Sequence, residues 1–110
     1  MRDLATEVVT DLAAESLDRA GYLTLRVTGS SMLPAIRPGS YVEIRRTGLE
    51  GVRPGDVVLV RASYGFRLHR LVGLQSGWLV TRGDNHTEND PAEPADRLLG
   101  VAVRVSKRPL

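Results

Sequence analysis

Apolar and polar positions change their rhythm at Gly21. Before it, Leu4, Val8, Leu12 and Ala13, with Val9 and Leu17 close by, recur at helical spacing, while charges such as Asp3, Glu7, Asp11 and Glu15 fill the other face. This pattern predicts one amphipathic helix over residues 3–20, with Gly21 as its C-terminal cap. The apolar stripe is expected to dock on the chain's own domain or on a partner. The polar face is acidic, which argues against docking on an anionic membrane. After Gly21 the period becomes two. YLTLRVT and YVEIRR alternate, and GDVVLVRA, GFRLHRLVGL, GWLVTR and LLGVAVRV are further strand candidates. Arg37-Pro38-Gly39-Ser40 and Arg53-Pro54-Gly55-Asp56 each place proline then glycine at a turn centre, which suits type II geometry. Ser76-Gly77 and Tyr64-Gly65 mark hairpin loops. Residues 83–96 are polar, contain Pro91 and Pro94, and read as a long irregular loop of the kind that carries function. The expected organisation is an N-terminal helical segment, residues 1–21, followed by a mainly β domain, residues 22–110.

Composition narrows the function classes. At 110 residues the chain is long enough for one domain with one core. Cysteine is absent, which excludes disulfides, thiolate zinc sites and cysteine nucleophiles. The net charge of +2 is too small to argue for nucleic acid, and the basic residues form no stripe. Aromatic residues are too few for a stacking platform, so no nucleic-acid partner is expected. No apolar run approaches a membrane span, and acidic residues interrupt the N-terminal segment as a secretory signal. No transmembrane anchor and a cytoplasmic location are the corresponding expectations.

The candidate chemistry begins at VTGSSMLPAIRPGS, where Ser30 and Ser31 lie between two strand patterns. A serine hydroxyl is a weak nucleophile that needs a base in reach and donors for the oxyanion. Ser31 follows Gly29 and precedes Met32, Leu33 and Pro34, so it stands at the opening of a short turn with free backbone N–H groups around it. On local chemistry alone, a cap on that turn is the commoner use of such a serine. His69 shares a strand face with Leu71 and is either a satisfied core histidine or a base. The polar loop then adds Asp84, Asn85, His86, Glu88 and Asp90. His86 is a rival base and Glu88 a rival to Asp90 as the acid that orients a base. His69, His86 and Asp90 also offer donors for zinc, but no helical metal motif accompanies them, so no metal and no cofactor are expected.

Together these segments resemble a known family. G-S-S-M-L-P-A-I-R-P-G-S resembles the serine box of signal peptidase I and its relatives, whose core is Ser-Met-x-Pro. R-P-G-D-V-V-L-V resembles their next strand, L-H-R-L-V-G the strand carrying the general base, and R-G-D-N-H-T-E-N-D the Gly-Asp-Asn loop. The four segments run in the family's order and cover most of Leu23 to Val105. The wider superfamily includes the LexA-like self-cleaving repressors of the DNA-damage response. The resemblance implies a coiled, mostly antiparallel β domain. It implies Ser31 as nucleophile, His69 as general base and Asp90 as the residue orienting the imidazole. Bacterial signal peptidases place lysine at the base position, whereas archaeal and endoplasmic-reticulum types place histidine there. The only lysine here, Lys107, lies outside every motif. Ser30, Met32, Leu33 and Pro34 would line the oxyanion site and substrate pocket, and Arg70, Gly83, Asp84 and Asn85 would support the site. These 110 residues contain no apolar run of anchor length, so neither the family's anchor nor its extra β domain is expected, and Gly29 stands where some members supply an oxyanion hydroxyl.

The implied function is a serine endopeptidase that cleaves a peptide or protein precursor through an acyl-enzyme. A peptide-binding module without turnover and a self-cleaving switch are the alternatives. For the switch, Ala20-Gly21 resembles the bond those repressors cut, but a strand from Gly21 to Ser31 would place it ~30 Å away.

Overall fold

The structure is a computed structural model that describes residues 14–63 and 65–110. It contains β1 (Tyr22–Arg26), β2 (Tyr41–Arg46), β3 (Val57–Ala62), β4 (Gly65–Gln75), β5 (Trp78–Arg82), β6 (Glu93–Pro94) and β7 (Leu98–Ser106). The seven strands form one antiparallel sheet in the order β1-β2-β7-β3-β4-β5-β6. Each expected strand segment matches one of them to within two residues at either end, and β6 is additional. The mainly β architecture is the one the alternation predicts, and its antiparallel pairing is the one the family resemblance implies.

Strand order is where the long-range pattern enters. The last long strand, β7, inserts between β2 and β3 instead of lying at an edge. Gly100 permits that placement, because a Cβ there would collide with the Arg45 carbonyl and stand 2.6 Å from Ile44 Cγ2. With neighbours on both sides, β3 buries both faces. Val58 and Val60 join Val52, Leu71, Leu79 and Leu98 in one cluster. Leu59 joins Leu17, Met32, Ile36, Val42 and Ile44 in another.

Residues 14–20 are helical. Gly21, at φ +79°, donates its N–H to the Leu17 carbonyl at 2.9 Å and ends the helix as expected. Leu17 is only 1% exposed, so this helix packs on its own sheet, an apolar contact worth about 1.5–3 kcal/mol for one leucine. The rest of the expected helix lies outside the described residues. No helix among the described residues is long and apolar enough to cross a membrane.

The turns follow their residues. Gly39 and Gly55 take φ +89° and +101°, and the two turns close through Ser40 N–H to the Arg37 carbonyl and Asp56 N–H to the Arg53 carbonyl. Ser76 and Gly77 both have positive φ and join β4 to β5, where Gln75 pairs with Trp78. As expected, Ser31 opens a short run of turns over residues 31–35, in which Ile36 N–H donates to the Met32 carbonyl at 2.9 Å and the bond between Leu33 and Pro34 is cis. One detail corrects the sequence reading. The loop expected over 83–96 is interrupted by β6 and a short 3-10 turn over Ala95–Arg97. Pro94 is compatible with β6 because that strand lies at the sheet's edge.

Candidate active site

Ser31 sits on the loop that joins the paired strands β1 and β2. Val27 and Ser40 close the base of this loop by backbone hydrogen bonding, and Met32 and Ile36 are buried in the core beneath it. These anchors hold Ser31 half-buried at the surface. Its carbonyl accepts the Asn85 N–H at 2.9 Å, and the Ser30 carbonyl accepts the Asn85 side-chain amide at 3.3 Å. Among the described residues no backbone carbonyl takes the N–H of Gly29, Ser30, Ser31 or Met32. The turn therefore ties its carbonyls to the Gly-Asp-Asn loop and leaves donors unspent beside the hydroxyl, as an oxyanion site requires.

His69 lies within β4, where ladders to β3 and β5 flank the strand. Alternation turns Arg67, His69 and Leu71 to one face, and all three are buried. His69 Nε2 stands 3.1 Å from Ser31 Oγ, and Nδ1 stands 2.6 Å from Asp90 Oδ2. A carboxylate can only accept, so Nδ1 donates and Nε2 is left as the acceptor facing the serine. Burial pushes the imidazole below its ordinary value of 6.5; contact with Asp90 opposes this, and Arg67 and His86 reinforce it. The ring is accordingly neutral at neutral pH. For Asp90, burial opposes ionisation, but hydrogen bonds from His69 and Thr81 and the charges of His69 and Arg67 outweigh it. Its carboxyl titrates below the usual 3.8.

The loop after β5 delivers Asp90 and the bracing residues. Asp90 N–H bonds the Thr81 carbonyl at 2.8 Å, and Thr81 Oγ1 donates back to Asp90 Oδ2 at 2.7 Å. Arg70, on the opposite face of β4 from His69, grips Asp84 through Nε at 2.9 Å and Nη2 at 2.7 Å, and its Nη1 holds the Gly55 carbonyl at 2.8 Å. The Arg70 hydrogen bond keeps the Asp84 carboxyl below its ordinary range. Gly83 has no room for a side chain: a Cβ would lie 2.8 Å from both His86 Nδ1 and the Ser31 carbonyl.

Sequence-named residues thus divide. Ser31, His69 and Asp90 come together, as do Arg70, Gly83, Asp84 and Asn85 around them. Glu88 is exposed, and it is Asp90 that bonds His69. His86 is exposed and meets the His69 ring edge-on, centroids 5.4 Å apart. Met32, which as an apolar neighbour of the serine fits either core or pocket wall, is core: the residue is 1% exposed, so its side chain lines no open pocket. Ser30 and Pro34 are exposed and Leu33 half-buried along the turn. An open cavity of about 440 Å³ is lined instead by residues 85–91. Two partners of Asp90 escaped sequence reasoning, Thr81 and Arg67. Their signal was parity: Thr81 lies two residues from the inward Leu79 on β5, and Arg67 two residues before His69 on β4.

His69, His86 and Asp90 present ligand atoms within 4.8 Å of one another. Asp90 Oδ2, however, already faces His69, Thr81 and the Arg67 guanidinium, the last at 3.4 Å. A fixed cation at that carboxylate suits proton transfer better than capture of a second cation.

A family model described as Peptidase S24-like matches residues 3–103. No curated protein matches the chain.

Proposed function

Because the chain belongs to the Peptidase S24-like family, we propose that it is a serine endopeptidase with Ser31 as nucleophile and His69 as general base. The observation that carries this reading is the unbroken line from Ser31 Oγ through both His69 nitrogens to Asp90, at 3.1 and 2.6 Å. Neutral His69 takes the hydroxyl proton on Nε2 as Oγ attacks a peptide carbonyl. Asp90 accepts from Nδ1 and stabilises the imidazolium that forms. The free N–H of Ser31 and those beside it receive the oxyanion. Imidazolium then gives its proton to the leaving amine, and the C–N bond breaks. Water, deprotonated by His69, attacks the acyl-enzyme, and the peptide acid leaves as Oγ regains its proton.

The substrate class is a peptide or protein precursor presented in trans. Gly21 donates to Leu17 and its carbonyl accepts from Arg46, while β1 pairs with β2 over all five residues. Cutting Ala20–Gly21 in cis would require stripping that strand from the sheet.

Intact-protein mass after incubation with a serine-reactive acylating probe tests the reading. An adduct on the wild type, absent from Ser31→Ala and His69→Ala, is expected at pH ~8, where histidine is neutral. A folded wild type that takes no adduct would favour a peptide-binding module without turnover.

A further inference from the structure

We propose that Arg67 is a positioning residue of this reaction: from the buried face of β4 its guanidinium holds the Asp90 carboxylate, and the segment that carries it, in register with His69. The inference rests on Ser31, His69 and Asp90 acting as described above.

Burial gives the first argument. The Arg67 side chain is only 7% exposed, and arginine is almost never buried so far unless it is paired. Among the described residues its guanidinium's polar contacts all fall on the stretch that delivers Asp90. Nε stands 3.4 Å from Asp90 Oδ2, while Nη2 reaches the Pro91 carbonyl at 3.5 Å and Glu93 Oε2 at 3.7 Å. One guanidinium therefore spans three points within four residues.

Placement gives the second. Arg67 pairs with Val60 and His69 with Val58 on the same β3 ladder. The spacing between the arginine and the imidazole is thus fixed by the sheet, and the arginine transfers that fixed frame to a loop that has no ladder of its own at Asp90. A charge kept for stability alone would be expected to close a two-bond fork, as Arg70 does on Asp84. Arg67 instead spreads over three oxygens and leaves its buried Nε–H without a hydrogen bond among the described residues. That nitrogen stands 3.4 Å from a carboxylate oxygen already receiving His69 and Thr81, where the guanidinium charge favours the ionised form while the imidazolium forms and decays.

The charged or titratable groups around His69 and Arg67 are Asp90, Glu93 and His86 from the loop and, more distantly, Asp84; β3 contributes only Val58 and Val60 at the paired positions. Removing the arginine's charge takes away a repulsion on protonated His69 and frees Asp90 to attract it. Both effects move the imidazole titration to higher pH.

Arg67→Met and Arg67→Lys test this in the full chain by two readouts. These are the pH profile of Ser31 acylation by the probe and the titration of the His69 ring followed by nuclear magnetic resonance, which needs no turnover. Arg67→Met is expected to acylate about 10–100-fold more slowly, with the acid limb and the ring titration both moved to higher pH. Arg67→Lys keeps the charge without the three-point reach of the guanidinium, so it should restore the titration and part of the rate. Wild-type rate and acid limb in Arg67→Met would overturn the proposal. If wild type takes no adduct, the catalytic reading fails, and an unchanged ring titration in Arg67→Met would overturn the contact by itself. Should Arg67→Met not fold, Arg67→Met combined with Glu93→Gln also removes the half-buried carboxylate that the arginine faces, and is judged by the same two readouts.

Discussion

Strand β4 carries two arginine–aspartate pairs, three residues apart and on opposite faces, and they are built for different ends. Arg70 and Asp84 form a closed fork, with side chains 37% and 20% exposed, and a third guanidinium bond holds the Gly55 carbonyl. Both Asp84 oxygens serve one arginine. Arg67 and Asp90 are less exposed, at 7% and 13%, yet their contact is longer and less regular. Asp90 gives its Oδ2 to His69 and Thr81 as well. A carboxylate that braces a loop is stable when one partner saturates it. A carboxylate that serves a base must keep an oxygen for the imidazole, and so cannot close a fork with its arginine.

The sharpest way to break this contrast is to remove the chemistry on one side of it. Ser31→Ala and His69→Ala should each lower probe acylation by about 10⁴–10⁶-fold while thermal unfolding stays near that of the wild type; a residual rate within tenfold of wild type would remove the meaning of the Asp90 pair. Neutralising the two carboxylates in turn comes next. Asp90→Asn should cost about 10³–10⁴-fold in acylation, because the amide no longer fixes the tautomer. Asp84→Asn should cost less than about tenfold in rate and about 1 kcal/mol in stability, the exposed guanidinium being largely screened. Equal rate losses in the two variants would erase the distinction.

Gly83→Ala probes the join between the two regions. Its methyl group meets both His86 and the Ser31 carbonyl, so a displaced serine turn should slow acylation by about 10–100-fold, read as a lower rate at unchanged pH profile.

The mildest probe is pH. The rate should be half-maximal on the acid side below 6.5, because burial lowers His69. Unfolded chain binds a proton at His69 near 6.5, before folded chain does, so folded stability declines as pH falls from there to the lowered folded value. Asp84 and Asp90 act at lower pH. Their stabilisation is present above 3.8 and disappears as pH falls through their depressed folded values. Denaturant midpoints measured from pH 8 to 3 should show both declines; a midpoint that rises between pH 7 and 5 would contradict the buried, neutral imidazole.

Much of this was legible in the residues. Period-two alternation located the strands, proline–glycine pairs located the turns, and the four motifs named Ser31, His69, Asp90, Arg70 and Asp84. Glu88 stayed a rival to Asp90 in the sequence because both are acidic residues in one loop. The contact that separates them depends on β5, where the Thr81 carbonyl fixes the Asp90 backbone. Met32 read as either core or pocket wall, since an apolar residue beside a serine fits both; the packing of Leu17, Ile36 and Val42 around it decided for the core.

What the chain by itself determined is local: which segments extend, where they turn, and which hydroxyl, imidazole and carboxylates are available, because these follow from residue type and spacing within a few positions. Tertiary structure alone decided that β7 enters between β2 and β3, that Asp90 meets the imidazole, and that Arg67 is buried beside it. Those outcomes depend on contacts between segments far apart in sequence, where burial and steric fit choose among partners that local pattern leaves equal.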